Sequence, residues 1–467
     1  MVPVTRIAIL GGGPGGYEAA LVAAQLGAEV LVVDRDGVGG ACVLTDCVPS
    51  KTLLATSDAM TSFACSAPLG VRLRSGASSE KEVSVDLGTV NARVKALALA
   101  QSLDITRRLA REGVEIVHGS GRLVGANRLV VRTEDGEQGY GADVVLVATG
   151  ASPRLLPGAE PDGERILNWQ QVYDLPELPE HLVVVGSGVT GAEFASAYVA
   201  LGSRVTLVSS RDRVMPSEDA DAALLLEDVF TRRGMQIVKR ARAAGVDRTA
   251  DGVVVKLDDG RTVEGTHCLV AVGSVPNTSG IGLEHIGVAT DERGYVRVDR
   301  VSRTTVPGVY AAGDCTGILL LASVAAMQGR IAMWHALGDA VEPLKLSNVA
   351  ANVFTDPEIA TVGLGLAASE GERGGVQEVK LPLATNARAK MQGLLDGFVK
   401  LYCRPGAGTV LGGVVVAPRA SELILPVSLA VQNALTVDQL AHTFTIYPSL
   451  SGSITEAARQ LHLAEQR

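Results

Sequence analysis

Two cysteines, Cys42 and Cys47, stand five positions apart in the run Gly39-Gly-Ala-Cys-Val-Leu-Thr-Asp-Cys-Val-Pro-Ser-Lys51. Thiols this close in sequence suit reversible dithiol–disulfide chemistry, in which the thiolate is the reactive species. Five residues of ideal helix rise about 7.5 Å, more than a relaxed disulfide spans between Cα atoms. A bridge here therefore requires a break in the helix, and would be strained and easier to reduce. Pro49 fits a fresh helix start, because its missing N–H costs nothing in a first turn. The plainer reading is a pair of unbridged thiols in a reducing compartment, and the spacing alone leaves both open.

What precedes the cysteines has a definite architecture. Arg6–Leu10 is a short apolar strand, Gly11-Gly-Gly-Pro-Gly-Gly16 a glycine turn, and residues 17–26 carry helical spacing. Gly11, Gly13 and Gly16 satisfy G-x-G-x-x-G: the first for a tight turn, the second for a pyrophosphate against bare backbone, the third for close helix–strand packing. The helix N-terminus offers its unsatisfied N–H groups to phosphate. A second strand, residues 29–33, ends in Asp34, where a carboxylate accepts hydrogen bonds from ribose hydroxyls. FAD and NAD share this fingerprint, so the motif does not choose between them.

The pattern recurs. His181–Val185 is a strand, Gly186, Gly188 and Gly191 repeat the fingerprint, residues 192–201 continue as helix, and Arg204–Val208 is the next strand. The acid is missing here: Val208 is followed by Ser209-Ser210-Arg211-Asp212-Arg213. A carboxylate at Ser209 would repel a 2′-phosphate, whereas serines with Arg211 and Arg213 nearby can accept one. The plainer alternative is a solvated basic loop. The expectation is that NADPH is bound alongside NADH, and two dinucleotide sites in one chain imply electron transfer between two cofactors.

A chain of 467 residues suggests two to four domains. With 53 glycines, 47% hydrophobic and 3% aromatic residues, it suits α/β domains with many tight turns and Val/Ala-rich strands. A net charge of −9 argues against nucleic acid. Six cysteines in so long a chain do not make a secreted disulfide framework. The opening residues lack a signal-peptide pattern and no apolar run reaches about 18 residues, so a cytoplasmic location without an integral membrane segment is expected. No metal site is expected.

Three further stretches complete a pattern: Val144-Val-Leu-Val-Ala-Thr-Gly150, Val309-Tyr-Ala-Ala-Gly-Asp314, and Asn352 through Gly363 with Gly397-Phe-Val-Lys-Leu401 beyond it. In this order, and with the cysteine segment, the chain resembles the flavoprotein disulfide reductases, and among them dihydrolipoamide dehydrogenase, from about Arg6 to about Ala458. The resemblance implies two Rossmann-like dinucleotide-binding domains and a C-terminal α+β dimerisation domain: FAD on residues 1–155 and 277–345, NAD(P) on 156–276, and a homodimer or higher homo-oligomer built through 346–467. It implies that Asp34 binds the FAD ribose, that Gly119 and Gly150 approach the cofactor by backbone, and that Asp314 bonds its ribityl or pyrophosphate part. Ala322 and Gly273 are further cofactor-binding positions on the same ground. Cys42 and Cys47 correspond to the redox disulfide, Cys47 nearer the flavin, with Lys51 near flavin N5 and paired with Glu193. Cys65, Cys268, Cys315 and Cys403 match no catalytic position and are expected to be packing residues.

One departure bears on function. Dihydrolipoamide dehydrogenases carry a C-terminal His-Pro-Thr-x-x-Glu segment, whose histidine reaches the partner subunit's disulfide to shuttle protons while the glutamate orients it. This chain reads Tyr447-Pro-Ser-Leu-Ser-Gly452. Phenols ionise near pH 10 and are poor bases for activating a thiol, unlike imidazole. His442, five residues upstream, is not in position to substitute. The loss argues against lipoamide and glutathione as substrates while leaving the route from NAD(P)H to FAD intact. A quinone fits as acceptor, since it takes hydride or single electrons directly; Tyr447 could donate to its carbonyl, or simply fill the histidine's volume. The related proteins with this loss include NAD(P)H quinone reductases. The first rival is a genuine disulfide reductase that uses Cys42–Cys47 with a substitute base. Mercuric reductases carry tyrosine at this place but need a terminal vicinal cysteine pair, which residues 461–467 lack. Soluble transhydrogenases generally lack one of the two cysteines, and a non-catalytic FAD-bound subunit would not bleach with NADPH.

Overall fold

The computed structural model describes residues 4–71, 83–363 and 375–465; parts of the terminal segments considered above, residues 1–3 and 466–467, lie outside them. The described residues fall into two compact units.

The first unit is drawn from Met1–Thr52, Asn91–Arg154 and Gly273–Lys345. Its centre is a parallel five-stranded sheet in the order Val309–Ala311, Val144–Val147, Arg6–Leu10, Glu29–Asp34, Glu115–His118. Runs such as Val144–Val147 are buried throughout because helices or loops cover both faces of the sheet. The helices Pro14–Gln25 and Ala322–Ala336 pack on one face through Ala19, Ala20, Ala23, Ala332 and Met333. They approach so closely that a Cβ on Gly329 would lie 2.1 Å from the Gly15 carbonyl. An antiparallel three-stranded sheet, Ser120–Gly125, Arg128–Thr133 and Gly136–Gly141, contributes Leu123, Leu129 and Val131 to the other face.

The second unit is drawn from Leu53–Val90, Leu155–Val272 and Leu346–Arg467. It repeats the parallel sheet, in the order Gln236–Val238, Arg204–Val208, His181–Val185, His267–Val270, Ile166–Leu167. The register repeats too: Val185 faces Val208 as Leu10 faces Val33. The C-terminal part is an antiparallel sheet, Ala350–Val353, Glu358–Gly363, Val410–Ala417, Phe398–Cys403, Gln377–Pro382, whose core is shared with the helices Leu425–Gln432, Val437–Ala441 and Gly452–Glu465. Two Rossmann-like units and an α+β C-terminal domain are thus present, as the sequence implied. Among the described residues no helix is long and apolar enough to cross a membrane.

The two glycine turns are near copies. A Cβ on Gly16 would sit 1.8 Å from the Gly11 carbonyl oxygen, and one on Gly191 would sit 1.8 Å from that of Gly186. On Gly188 it would meet nothing within 4 Å. Gly16→Ala and Gly191→Ala should each cost about 3 kcal/mol or more, whereas Gly188→Ala should cost no more than about 1 kcal/mol. Urea denaturation of the three variants checks this; equal losses at Gly188 and Gly191 would contradict it.

Candidate redox site and nucleotide cradles

The helix break foreseen between the cysteines is present. The short helix Gly40–Leu44, which carries Cys42, ends at Thr45, whose φ of −138° leaves helical geometry. The helix Cys47–Ala64 starts two residues later, with Pro49 in its first turn. The N–H groups of Thr45 and Asp46 both donate to the Ala41 carbonyl, at 2.9 and 2.8 Å, folding the chain back. Cys42 and Cys47 are free thiols, partly buried and hydrogen-bonded to each other. The Gly39 N–H donates to the Gly12 carbonyl at 2.8 Å, so the thiol segment is pinned to the first glycine turn.

The thiol–thiol bond moves the two thiols' proton affinities in opposite directions. It pulls the Cys42 thiol below its usual value, against burial and the charges of Asp46 and Asp314, with Lys51 helping. The same bond pushes the Cys47 thiol up; burial and Asp46 add to the rise and Lys51 opposes it. Lys51 lies four residues beyond Cys47, on the same face of the helix. Asp46 is a residue sequence reasoning missed, although its adjacency to Cys47 was a visible signal.

Asp314 opens a 3₁₀ turn after the Val309–Ala311 strand. Burial, and then the Asp46 charge, push its carboxyl up to about 6. Buried Gln328, also missed from sequence, holds that turn by accepting the Gly313 N–H at 2.9 Å. Ala322 is the first residue of the helix Ala322–Ala336, where first-turn N–H groups lack acceptors within the helix.

In the first cradle the Asp34 carboxylate accepts the N–H groups of Gly12, Asp36 and Gly37 at 2.6, 2.8 and 2.7 Å. An ionised carboxylate has about four lone-pair sites, so this fixes it in place with capacity for ribose hydroxyls. A Cβ on Gly13 would meet nothing closer than the Gly40 Cα at 4.0 Å, leaving backbone open to a pyrophosphate. Gly150 has nothing within 4 Å of its Cβ direction, and neither has Gly273. Gly119 is different: its Cβ would lie 2.6 Å from the Arg132 carbonyl oxygen, so strand packing by itself excludes a side chain there.

In the second cradle Ser209 follows Val208 as Asp34 follows Val33, but it is fully buried. Its hydroxyl bonds the Ser187 hydroxyl at 2.7 Å and accepts the Arg211 N–H at 3.1 Å. The Ser209 hydroxyl is thus engaged within the chain, and as a serine it leaves the site free of a carboxylate. Arg211 is exposed, whereas the Arg213 guanidinium donates to the Pro216 carbonyl at 3.3 Å.

Glu193 is buried on the helix Val189–Leu201, where its carboxylate accepts the Phe354 N–H at 2.8 Å. It belongs to the second unit and Lys51 to the first. Tyr447 is 84% exposed, so within this chain it fills no histidine-shaped volume. Cys268, Cys315 and Cys403 are buried as expected, but Cys65 is exposed and packs no core. No cluster of three or more metal-binding side chains exists among the described residues.

Two cradles of this geometry, with a thiol pair pinned to one of them, define an oxidoreductase that works between two nucleotide cofactors. The chain belongs to the pyridine nucleotide-disulphide oxidoreductase family: residues 5–329 match that family and residues 349–458 match its dimerisation domain. It is 57% identical to the NAD(P)H dehydrogenase (quinone) of Mycobacterium tuberculosis, covering 98% of this chain and 94% of the relative. It is 35% identical to a dihydrolipoyl dehydrogenase of Chlorobaculum tepidum, over 97% of this chain and 96% of that one. The crystal structure of LpdA from Mycobacterium tuberculosis superposes with a TM-score of 0.93 at 57% identity, covering 98% of this chain and all of that one. The HOCl-induced flavoprotein disulfide reductase RclA of Escherichia coli, 24% identical, shares the fold with a TM-score of 0.86 over 97% of this chain and 99% of its own. Membership implies FAD and a pyridine nucleotide as cofactors, and the open glycine backbone with the fixed Asp34 carboxylate fits the first of these.

Because the Asp314 carboxyl is raised to about 6 in the folded chain, against about 4 when unfolded, the folded state holds the extra proton between these values. Stability from this group is therefore full below about pH 4 and is lost as pH rises through about 6. The apo-protein of Asp314→Asn should gain on the order of 1–2 kcal/mol over wild type at about pH 7.5 and nothing at about pH 4. Urea titrations at the two pH values measure it; a gain independent of pH would contradict the assignment.

Proposed function

We propose that this chain is an FAD-dependent NAD(P)H:quinone oxidoreductase. The observation that carries the reading is the Tyr447-Pro-Ser-Leu-Ser-Gly452 segment: the proton-shuttling dyad of the dithiol-exchanging relatives is missing while both nucleotide cradles are intact. That the 57% identical relative is named an NAD(P)H dehydrogenase (quinone) supports it. When bound, FAD supplies the two-electron chemistry, accepting hydride from NAD(P)H and passing electrons to the quinone.

The chain's own residues bind and orient. Gly11, Gly13, Gly16 and Asp34 hold the flavin nucleotide, with Gly150, Ala322 and Asp314 lining its further reach. Gly186, Gly188, Gly191 and Gly273 hold the pyridine nucleotide. Lys51 places positive charge beside the reacting ring, and Glu193 is the further catalytic residue. Residues 1–155 and 277–345 form the FAD domain, 156–276 the NAD(P) domain and 346–467 the dimer-interface domain. A homodimer is supported by the exposed apolar side chains of Leu425, Leu429, Phe444 and Ile446 in that last domain. A cytoplasmic setting suits a chain whose six cysteines in 467 residues make no secreted disulfide framework. NADPH is accepted alongside NADH, its 2′-phosphate meeting Arg211.

A second reading, disulfide reduction with a substitute base, is favoured by the contact between Cys42 and Cys47 and by the lowered Cys42 thiol. The two separate cleanly in solution. Flavin bleached anaerobically with NADPH should be reoxidised by a small benzoquinone at least about a hundredfold faster than by lipoamide. Cys47→Ser should keep more than about half the quinone rate, since thiol exchange is off that route. Brisk lipoamide turnover that disappears in Cys47→Ser would install the second reading instead. Arg211→Ala should raise KM for NADPH about tenfold, the scale of one hydrogen bond to a charged group, and leave KM for NADH alone.

A further inference from the structure

The Gly397-Phe-Val-Lys-Leu401 segment belongs to the C-terminal sheet, yet its lysine serves the second nucleotide cradle. Lys400, on the strand Phe398–Cys403, has a side chain only 4% exposed. Its ammonium bonds the Asp219 carboxylate at 2.8 and 3.0 Å and Asp221 at 2.7 Å. Tyr402, two residues along and so on the same face of the sheet, donates its hydroxyl to Asp219 at 3.0 Å. Burial draws the Lys400 amine down, but its bonds to Asp219 and Asp221 outweigh that and hold it above the ordinary lysine value. The lysine is charged, enclosed and paired.

Asp219 is also the N-cap of the helix Ala220–Arg232, accepting the N–H groups of Asp221 and Ala222. It therefore closes the loop of residues 209–218, which carries Arg211. The other end of that loop is tied to the glycine turn through the Ser209–Ser187 hydroxyl pair. Between the ends, the Met215 N–H donates to the Ser187 carbonyl at 2.9 Å, and the Val214 N–H donates to buried Glu227 at 2.6 Å. Met215 holds a φ of +52°, a left-handed conformation that a side-chain-bearing residue keeps only when its surroundings insist. Release of Asp219 would free one end of a loop whose middle is held in an unfavourable conformation.

We infer that Lys400 is a positioning residue for the pyridine nucleotide: through Asp219 it fixes the loop of residues 209–218 and with it the placement of Arg211 against the 2′-phosphate. The inference rests on the proposed contact between Arg211 and NADPH. NADH has no 2′-phosphate, so it feels only the indirect part of any displacement. A lysine that merely held two domains together would alter stability and both coenzymes alike.

The test is steady-state kinetics of the FAD-loaded Lys400→Met enzyme with each coenzyme, using a small benzoquinone as acceptor. KM for NADPH should rise about tenfold and KM for NADH less than about threefold, with kcat within about twofold of wild type. Lys400→Arg, which keeps the charge, should recover most of the loss. Tyr402→Phe, which removes one hydrogen bond to Asp219, should shift KM for NADPH in the same direction by a smaller factor, and serves if Lys400→Met does not fold. Equal rises for the two coenzymes, or a lower melting temperature with unchanged KM, would overturn the inference. If Arg211→Ala raises KM for NADPH while Lys400→Met and Tyr402→Phe do not, the positioning role alone falls. If Arg211→Ala has no effect, the 2′-phosphate contact falls and the inference goes with it.

Discussion

The contact between the carbonyl of one glycine and the bare Cα of another holds this molecule's chemistry in place. In each parallel sheet the central strand runs into a helix with no room for a single carbon atom between the turn and the helix's first residues. That approach aims the helix N-terminus across the end of the strand, so that unsatisfied N–H groups and partial positive charge converge where a pyrophosphate can lie. Because the second glycine of each set faces open space, the cradle is shaped by what surrounds it and needs no ligand to form. The first cradle also locates the thiols, since Gly40 could not carry a Cβ without meeting Gly13 at 2.8 Å.

Around that frame, the differences between the two cradles are electrostatic. One ends in a carboxylate held by three backbone N–H groups; the other ends in a serine whose hydroxyl is satisfied internally. The same backbone thus presents negative charge in one unit and a neutral floor with an exposed guanidinium nearby in the other. The thiol pair shows a similar economy. A two-residue interruption between short and long helices brings two sulfurs into hydrogen-bond contact, and that contact moves the two thiols' proton affinities in opposite directions. The chain combines this arrangement with a C-terminal segment, Tyr447 through Gly452, that holds neither histidine nor glutamate.

Period and punctuation made much of this legible. Short apolar strands and six spaced glycines give both Rossmann-like units their position, with a closing acid in the first alone, because each feature answers a local demand. The helix break between Cys42 and Cys47 was legible in part, from Pro49 and from the rise per residue that any bridge would have to overcome. Side-chain direction was not. Nothing in Ser209 itself says that its hydroxyl turns toward Ser187, since that depends on a partner 22 positions away across a parallel pair. Cys65 read as a packing residue because cysteine is usually buried, but it lies near the C-terminal end of a helix on the exposed side. Lys400 and Asp219, 181 positions apart, could not be matched from sequence, because burial of a charge becomes visible only when both partners are in place.

The first parallel sheet has a consequence for synthesis. Its Arg6–Leu10 strand precedes the second glycine unit along the chain, whereas the edge strand Val309–Ala311 follows the whole of that unit. During translation the early strands must wait, with an open edge beside Val144–Val147, while a second set of strands of the same register emerges. Such non-local closure is slow. Closure of this sheet is therefore deferred until the residues of the second glycine unit have been made.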